Sequence, residues 1–188
     1  MVRFSLKVYG KDEWHQEKHT VPARRTWRKL HLAADEKHQL LACELTTPET
    51  GDPTAVPDLL SQIESEFDAF MGNGAHDGDP VYQAVLTKRP DAAVIIAPHK
   101  TAVCSSTGDT QRDQHIVTID QQGRIAWQQQ TGYGLRNYIG LATQRYKRIF
   151  GNMLKARELP QKKTEARIGA SALNIMTQLG MPISVKNT

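Results

Sequence analysis

Period-two alternation runs through the first 46 residues and gives way to helical spacing after them, so the chain must open as sheet and continue as strand and helix in layers. Residues 6–9 (LKVY) alternate apolar and polar side chains and stop at Gly10. Trp27–Ala34 (WRKLHLAA) alternates again, with Leu30, Leu32 and Ala34 on one face. Leu40–Thr46 (LLACELT) reads as its hairpin partner across residues 35–38. Three antiparallel strands are therefore expected at the start.

Further along, Gly51, Asp52 and Pro53 form a turn, and residues 57–67 carry Leu59, Leu60, Ile63 and Phe67 at helical spacing. A short strand is expected over 67–71, running into Gly72-Asn73-Gly74, then a helix over 80–88 whose start Asp79 can cap, then a buried strand over 92–97. Residues 99–130 are polar with few apolar anchors and are expected to form an irregular insertion. Helices follow over 136–150 and 162–179, the second with Ala166, Gly169, Leu173, Met176 and Leu179 on one side and Gly180 ending it. The order βββαβαβα followed by α is an α/β plan: a mixed sheet, three antiparallel strands then parallel ones, flanked by helices.

The 188 residues suffice for one sizeable core, and 39% hydrophobic against 23% charged residues suits a folded rather than a disordered chain, so one domain over 1–188 is expected. The longest apolar stretch, around residues 92–98, is far short of the roughly 20 residues a membrane span needs, and no signal peptide follows Met1. A cytoplasmic location without a membrane partner is expected. The two cysteines, Cys43 and Cys104, make neither a disulfide framework nor a metal knuckle and read as packed thiols in a reducing compartment.

The net charge of +4 hides an uneven distribution. Residues 1–31 carry 8 Lys or Arg against 3 acids, residues 32–132 carry 6 against 15, and residues 133–188 carry 10 against 2. Basic ends around an acidic middle suit a polyanion lying across the surface those ends form, since clustered Lys and Arg neutralise phosphates and release counterions. A merely solvated charged face gives the same count.

Several chemistries are excluded. His15 and His19 stand four apart, but the residues between them do not make the HExxH order, and the setting reads as a loop. The other histidines form no constellation with cysteine or acid, and no nucleophilic triad, phosphate loop or dinucleotide fingerprint is present. Trp14, Trp27 and Trp127 could stack on bases but are more commonly core or loop anchors in a domain this size.

The strings LKVYG, EWHQEKH, RRTWRKLHLA, LTTPETGDP, GNGAHDGDPVY and GYGLRNYIGLATQRYKRIFG, in this order over about residues 6–182, resemble the ribonuclease-H-like catalytic domain of DDE transposases from bacterial insertion sequences. The resemblance implies DNA transposition: strand cleavage and transfer by two divalent ions held between carboxylates, one ion activating the attacking oxygen and one stabilising the leaving oxygen. Hard Mg²⁺ calls for oxygen ligands, and the family supplies an Asp in the first strand, an Asp at the GNGAHD turn and a Glu in the long helix.

None of the three acids stands here. Alignment of LKVYG puts the first at Val2; the family's Asp-Gly-Ala-Tyr-Asp turn becomes Asn73-Gly74-Ala75-His76-Asp77; the helix signature reads Tyr133, Arg136, Gly140, Lys147, with glycine where the glutamate belongs. Positions 136, 140 and 147 would lie within roughly 40° on a helix, so the stripe persists without its acid. Asp35 and Asp77, the nearest other acids, stand where the family also carries acids beyond its triad and do not read as replacements. No metal or other cofactor is therefore expected. The chain also begins at the first strand, so the helical DNA-end-binding segment of such enzymes is expected to be missing. Arg24, Arg25, Arg28 and Lys29, with Arg136, Arg145, Lys147 and Arg148, remain as candidate phosphate contacts that read no sequence. Two readings stand: a degenerate transposase domain, and a noncatalytic module that binds DNA or partners an intact transposase or itself.

Overall fold

The computed structural model describes residues 1–8 and 27–180. Strands β1 (Val2–Val8), β2 (Trp27–Ala34) and β3 (Leu40–Thr46) form the expected meander, with Phe4 opposite Leu30 and Leu30 opposite Leu45. β1 starts earlier than residue 6 because the alternation continues upstream: Arg3 and Ser5 are exposed while Phe4 and Leu6 are buried. The β2–β3 turn is held by the Asp35 carboxylate, which accepts the Gln39 N–H at 2.8 Å, and by His38 at φ 64°.

Two further pieces carry parallel pairing. β4 (Ala69–Gly72) and β5 (Ala93–Ile96) pair with each other, and the Met1 nitrogen donates to the Met71 carbonyl, tying the start of β1 to β4. A strand that alternation could not reveal, β6 (Met153–Leu154), lies parallel to β1 at Lys7 and Val8. Two residues are too few to show a period.

Helix α1 (Val56–Ser61) is shorter than the 57–67 spacing suggests. Gln62 leaves the helix there, and its side-chain oxygen accepts the Cys43 N–H at 3.0 Å. α2 (Asp79–Lys88) has Gly78 rather than Asp79 at its cap. The segment expected to be irregular, 99–130, instead holds α3 (Gln111–Gln122) and α4 (Arg124–Thr131). Sparse apolar residues hid them; α3 is set by a capping box between Thr110 and Asp113, and α4 by Trp127, which is wholly buried. A 3₁₀ turn over Tyr133–Arg136 precedes α5 (Asn137–Phe150), so Arg136 stands just outside the helix expected to contain it. α6 (Leu159–Gln178) closes the domain.

Strands β3, β2, β1 and β6 form one sheet in that order, and β4 and β5 a second. Val56, Leu59, Val81 and Val85 pack with Val94 and Ile96 of β5, while Leu6, Leu30, Leu32 and Leu45 pack with Ile139, Ala142 and Tyr146 of α5 and Leu173 of α6. Cys43 is packed as expected, burial pushing its thiol up to about 12. Cys104, expected to be packed as well, is exposed in the loop before α3.

Candidate functional site

Three elements meet: the start of β1, the end of β4, and the turn leading into α5. Ile139, Ala142 and Tyr146 bury one arc of α5 against the sheet, which leaves Gly140 and Lys147 exposed. The Lys147 ammonium lies 5.0 Å from the Phe4 ring centroid, and the Arg136 charge adds to the effect of burial in lowering the Met1 amine to about 5. The first residues of β1 therefore run alongside the Arg136-to-Lys147 stretch. Val2 sits in this stretch of β1, in register with Leu32.

Asn73 follows β4 directly and caps the 3₁₀ turn Gly74–His76. Its side-chain oxygen accepts the Ala75 N–H at 3.1 Å and is 2.8 Å from His76 Nδ1. With that oxygen accepting, Nδ1 carries the ring proton and Nε2 keeps a bare lone pair. Gly140, by contrast, looks onto open space: a Cβ built there would meet nothing within 4 Å.

The neighbouring acids have other partners. Asp77, with its side chain 4% exposed, takes Arg112 Nε at 2.8 Å on one oxygen, and Nη2 at 3.1 Å with the His99 N–H at 3.2 Å on the other. Asp35 holds the hairpin turn. A pair of hard divalent ions needs several free carboxylate oxygens, and the residues present do not fit it. Among the described residues no group of three His, Cys, Asp or Glu could hold a metal ion.

One cluster has no counterpart in the sequence reading. His31, Asp52 and His76 are all buried and influence one another electrostatically, contrary to the expectation that the histidines keep no company with acids. His31 Nε2 pairs with Thr46 Oγ1 at 2.9 Å, and Arg3 Nε lies 2.9 Å from Asp52 Oδ2 but too bent for a hydrogen bond. Burial, helped by the Met1 amine and opposed by Asp52, lowers His76 to about 4; burial lowers His31 also. Positions 31, 52 and 76 have no common spacing, so no motif could have announced them.

Tyr133 is placed by Trp127, its ring centroid 4.9 Å away, and carries the Arg136 guanidinium 5.1 Å above its own ring. Trp127 donates to His115 Nδ1 at 3.0 Å, and His115 Nε2 donates to the Val94 carbonyl at 2.8 Å. Trp127 is thus a core anchor, while Trp27 is exposed at the start of β2.

The described basic residues point to several partners. Arg28 and Lys29, adjacent on a strand, alternate: Lys29 donates to the Thr50 carbonyl at 2.7 Å, while Arg28 comes near Lys162. Arg145 donates to Thr177 of α6 at 2.9 Å, and Lys147 and Arg148 are exposed. Trp14, His15, His19, Arg24 and Arg25 lie outside the described residues.

A family model described as Transposase DDE domain matches residues 3–179. The chain belongs to the transposase DDE family. No solved structure matches it. Membership accounts for the mixed α/β plan, since the domain of this family is ribonuclease-H-like, and it makes transposition the chain's functional context. Among the described residues no helix is long and apolar enough to cross a membrane.

Proposed function

We propose that this chain is a transposase domain that keeps the fold of its family and has lost its metal chemistry. The observation carrying the reading is the Asn73 oxygen: at the position of the second acid stands a neutral amide, already engaged by Ala75 and His76. Val2 offers a hydrocarbon and Gly140 no side chain at all. Loss of roughly 4 kcal/mol of transition-state stabilisation slows a reaction about a thousandfold, and loss of both ions costs more. The chain then binds DNA without cleaving or joining it, with exposed Lys147 and Arg148 as the first phosphate contacts.

End-bearing DNA incubated with the protein and Mn²⁺ tests the loss. No nicked or joined product is expected, and cleavage abolished by Asp77→Ala or Asp35→Ala would show that other acids carry the reaction. Restoration sharpens the test: Val2→Asp with Asn73→Asp and Gly140→Glu should bind Mn²⁺ by calorimetry where the natural chain does not.

The exposed basic residues favour a second reading, a noncatalytic module that holds DNA or joins a second copy or an intact transposase. A gel shift that weakens steeply with added salt supports phosphate contacts, and no shift at low salt removes them.

A further inference from the structure

Asn73 is the only asparagine of the chain that precedes a glycine; Asn137, Asn152, Asn174 and Asn187 precede Tyr138, Met153, Ile175 and Thr188. The backbone nitrogen after an asparagine can attack the side-chain amide carbon, and glycine alone brings no side chain to hinder the approach. The fold sets the atoms of that reaction in place. Asn73 Oδ1 takes the Ala75 N–H at 3.1 Å and His76 Nδ1 at 2.8 Å, so two donors stand where the oxygen gains charge during the addition. Asn73 Nδ2, the group that would leave, and the Gly74 N–H, which would lose its proton, have no hydrogen-bond partner among the described residues. Gly74 is exposed and Asn73 half-buried, so water reaches both. Ring closure turns the Asn73 backbone from its extended setting at ψ 172°, a movement the following glycine permits. Asn174 is held in the opposite way: its Oδ1 accepts the Leu40 N–H at 2.7 Å, its Nδ2 donates to the Leu40 carbonyl at 2.9 Å, and it lies within α6.

We propose that Asn73 is a site of spontaneous deamidation, by which the folded chain acquires a carboxylate at position 73 after synthesis. The Gly74 nitrogen gives its proton to water and bonds to Asn73 Cγ. The Cγ–Nδ2 bond breaks, and the amine takes up a proton from water and leaves as ammonia. A water molecule then opens the cyclic imide at either carbonyl, giving aspartate or isoaspartate. One water enters, one ammonia leaves, and nothing is oxidised or reduced. In the aspartate product the carboxylate is a stronger acceptor for the Ala75 and His76 donors than the amide it replaces. The change goes beyond the loss of metal chemistry proposed above and does not reverse it, since Val2 and Gly140 still offer no side-chain oxygen.

Peptide mass spectrometry of the full chain, incubated at physiological temperature and mildly alkaline pH, tests the proposal. The peptide carrying position 73 should gain the mass difference between amide and acid, in two products separable by chromatography. Peptides carrying the other asparagines should keep their mass. Gly74→Ala should slow the conversion about tenfold or more. A Cβ at position 74 would stand 3.3 Å from the Ala97 carbonyl oxygen, so circular dichroism checks that this variant is folded. Asn73→Gln, whose ring would need a sixth member, is the second variant and should show no conversion. A position 73 that keeps its amide in the folded chain would overturn the proposal, and conversion in urea alone would show that the fold protects the residue. Equal rates in the folded Gly74→Ala variant and the natural chain, or equal conversion at every asparagine, would overturn it as well.

Discussion

Asp77 and Arg112 meet across 35 residues, Nε 2.8 Å from one carboxylate oxygen and Nη2 3.1 Å from the other. The pair joins the turn after β4 to the start of α3 and fixes the acid four residues after Asn73 in a structural role. Arg112 is drawn further towards its charged form by the same hydrogen bonds. Removal of the guanidinium leaves a nearly buried carboxylate without its counter-charge, so Arg112→Gln should cost about 3 kcal/mol in urea denaturation. Mn²⁺ affinity should not change, and a gain in it would return Asp77 to the list of metal ligands.

His76 sets a pH window. It is neutral in the fold, with its pKa lowered from 6.5 to about 4. Above 6.5 both states are neutral and the ring is indifferent to pH. As pH falls below 6.5 the unfolded chain takes up the proton first, and stability is lost until the folded ring is protonated near 4. The full loss is about 3 kcal/mol. Urea midpoints at pH 7.5 and 4.5 should differ by less in His76→Gln than in the natural chain; an equal difference would assign the acid sensitivity to other groups.

Two helical glycines should respond with opposite sign. A Cβ at Gly169 would stand 2.8 Å from the Tyr146 hydroxyl, so Gly169→Ala should push α6 off α5 and cost about 1–3 kcal/mol. Gly140→Ala meets nothing and should stabilise α5 by up to about 1 kcal/mol. Thermal unfolding of the two variants side by side checks both signs.

Thr110 begins α3 by accepting the Asp113 N–H at 3.1 Å and donating its hydroxyl to that carboxylate at 2.8 Å. Thr110→Ala should cost about 1 kcal/mol, and amide exchange should quicken first in the opening turn of α3. Uniform acceleration across the domain would mean that the cap supports more than its own helix.

The opening strands were legible because Leu30, Leu32 and Leu45 alternate with His31 and Glu44 in sequence, although those polar neighbours are buried too. α3 and α4 were not, because their placement comes from one cap and one tryptophan rather than from a stripe. Resemblance supplied the positions of Val2, Asn73 and Gly140, which composition and spacing alone leave unremarkable. The company of His31, Asp52 and His76 arises only when three separate segments fold together, and neither pattern nor resemblance carried it.

On α5, the residues that grip the sheet, Ile139, Ala142 and Tyr146, lie on a different side of the cylinder from Gly140 and Lys147. Foldability is therefore blind to which side chain stands at position 140. On the reading proposed above, a chain that loses an acid there still packs its core, because no contact that holds α5 to the sheet involves position 140.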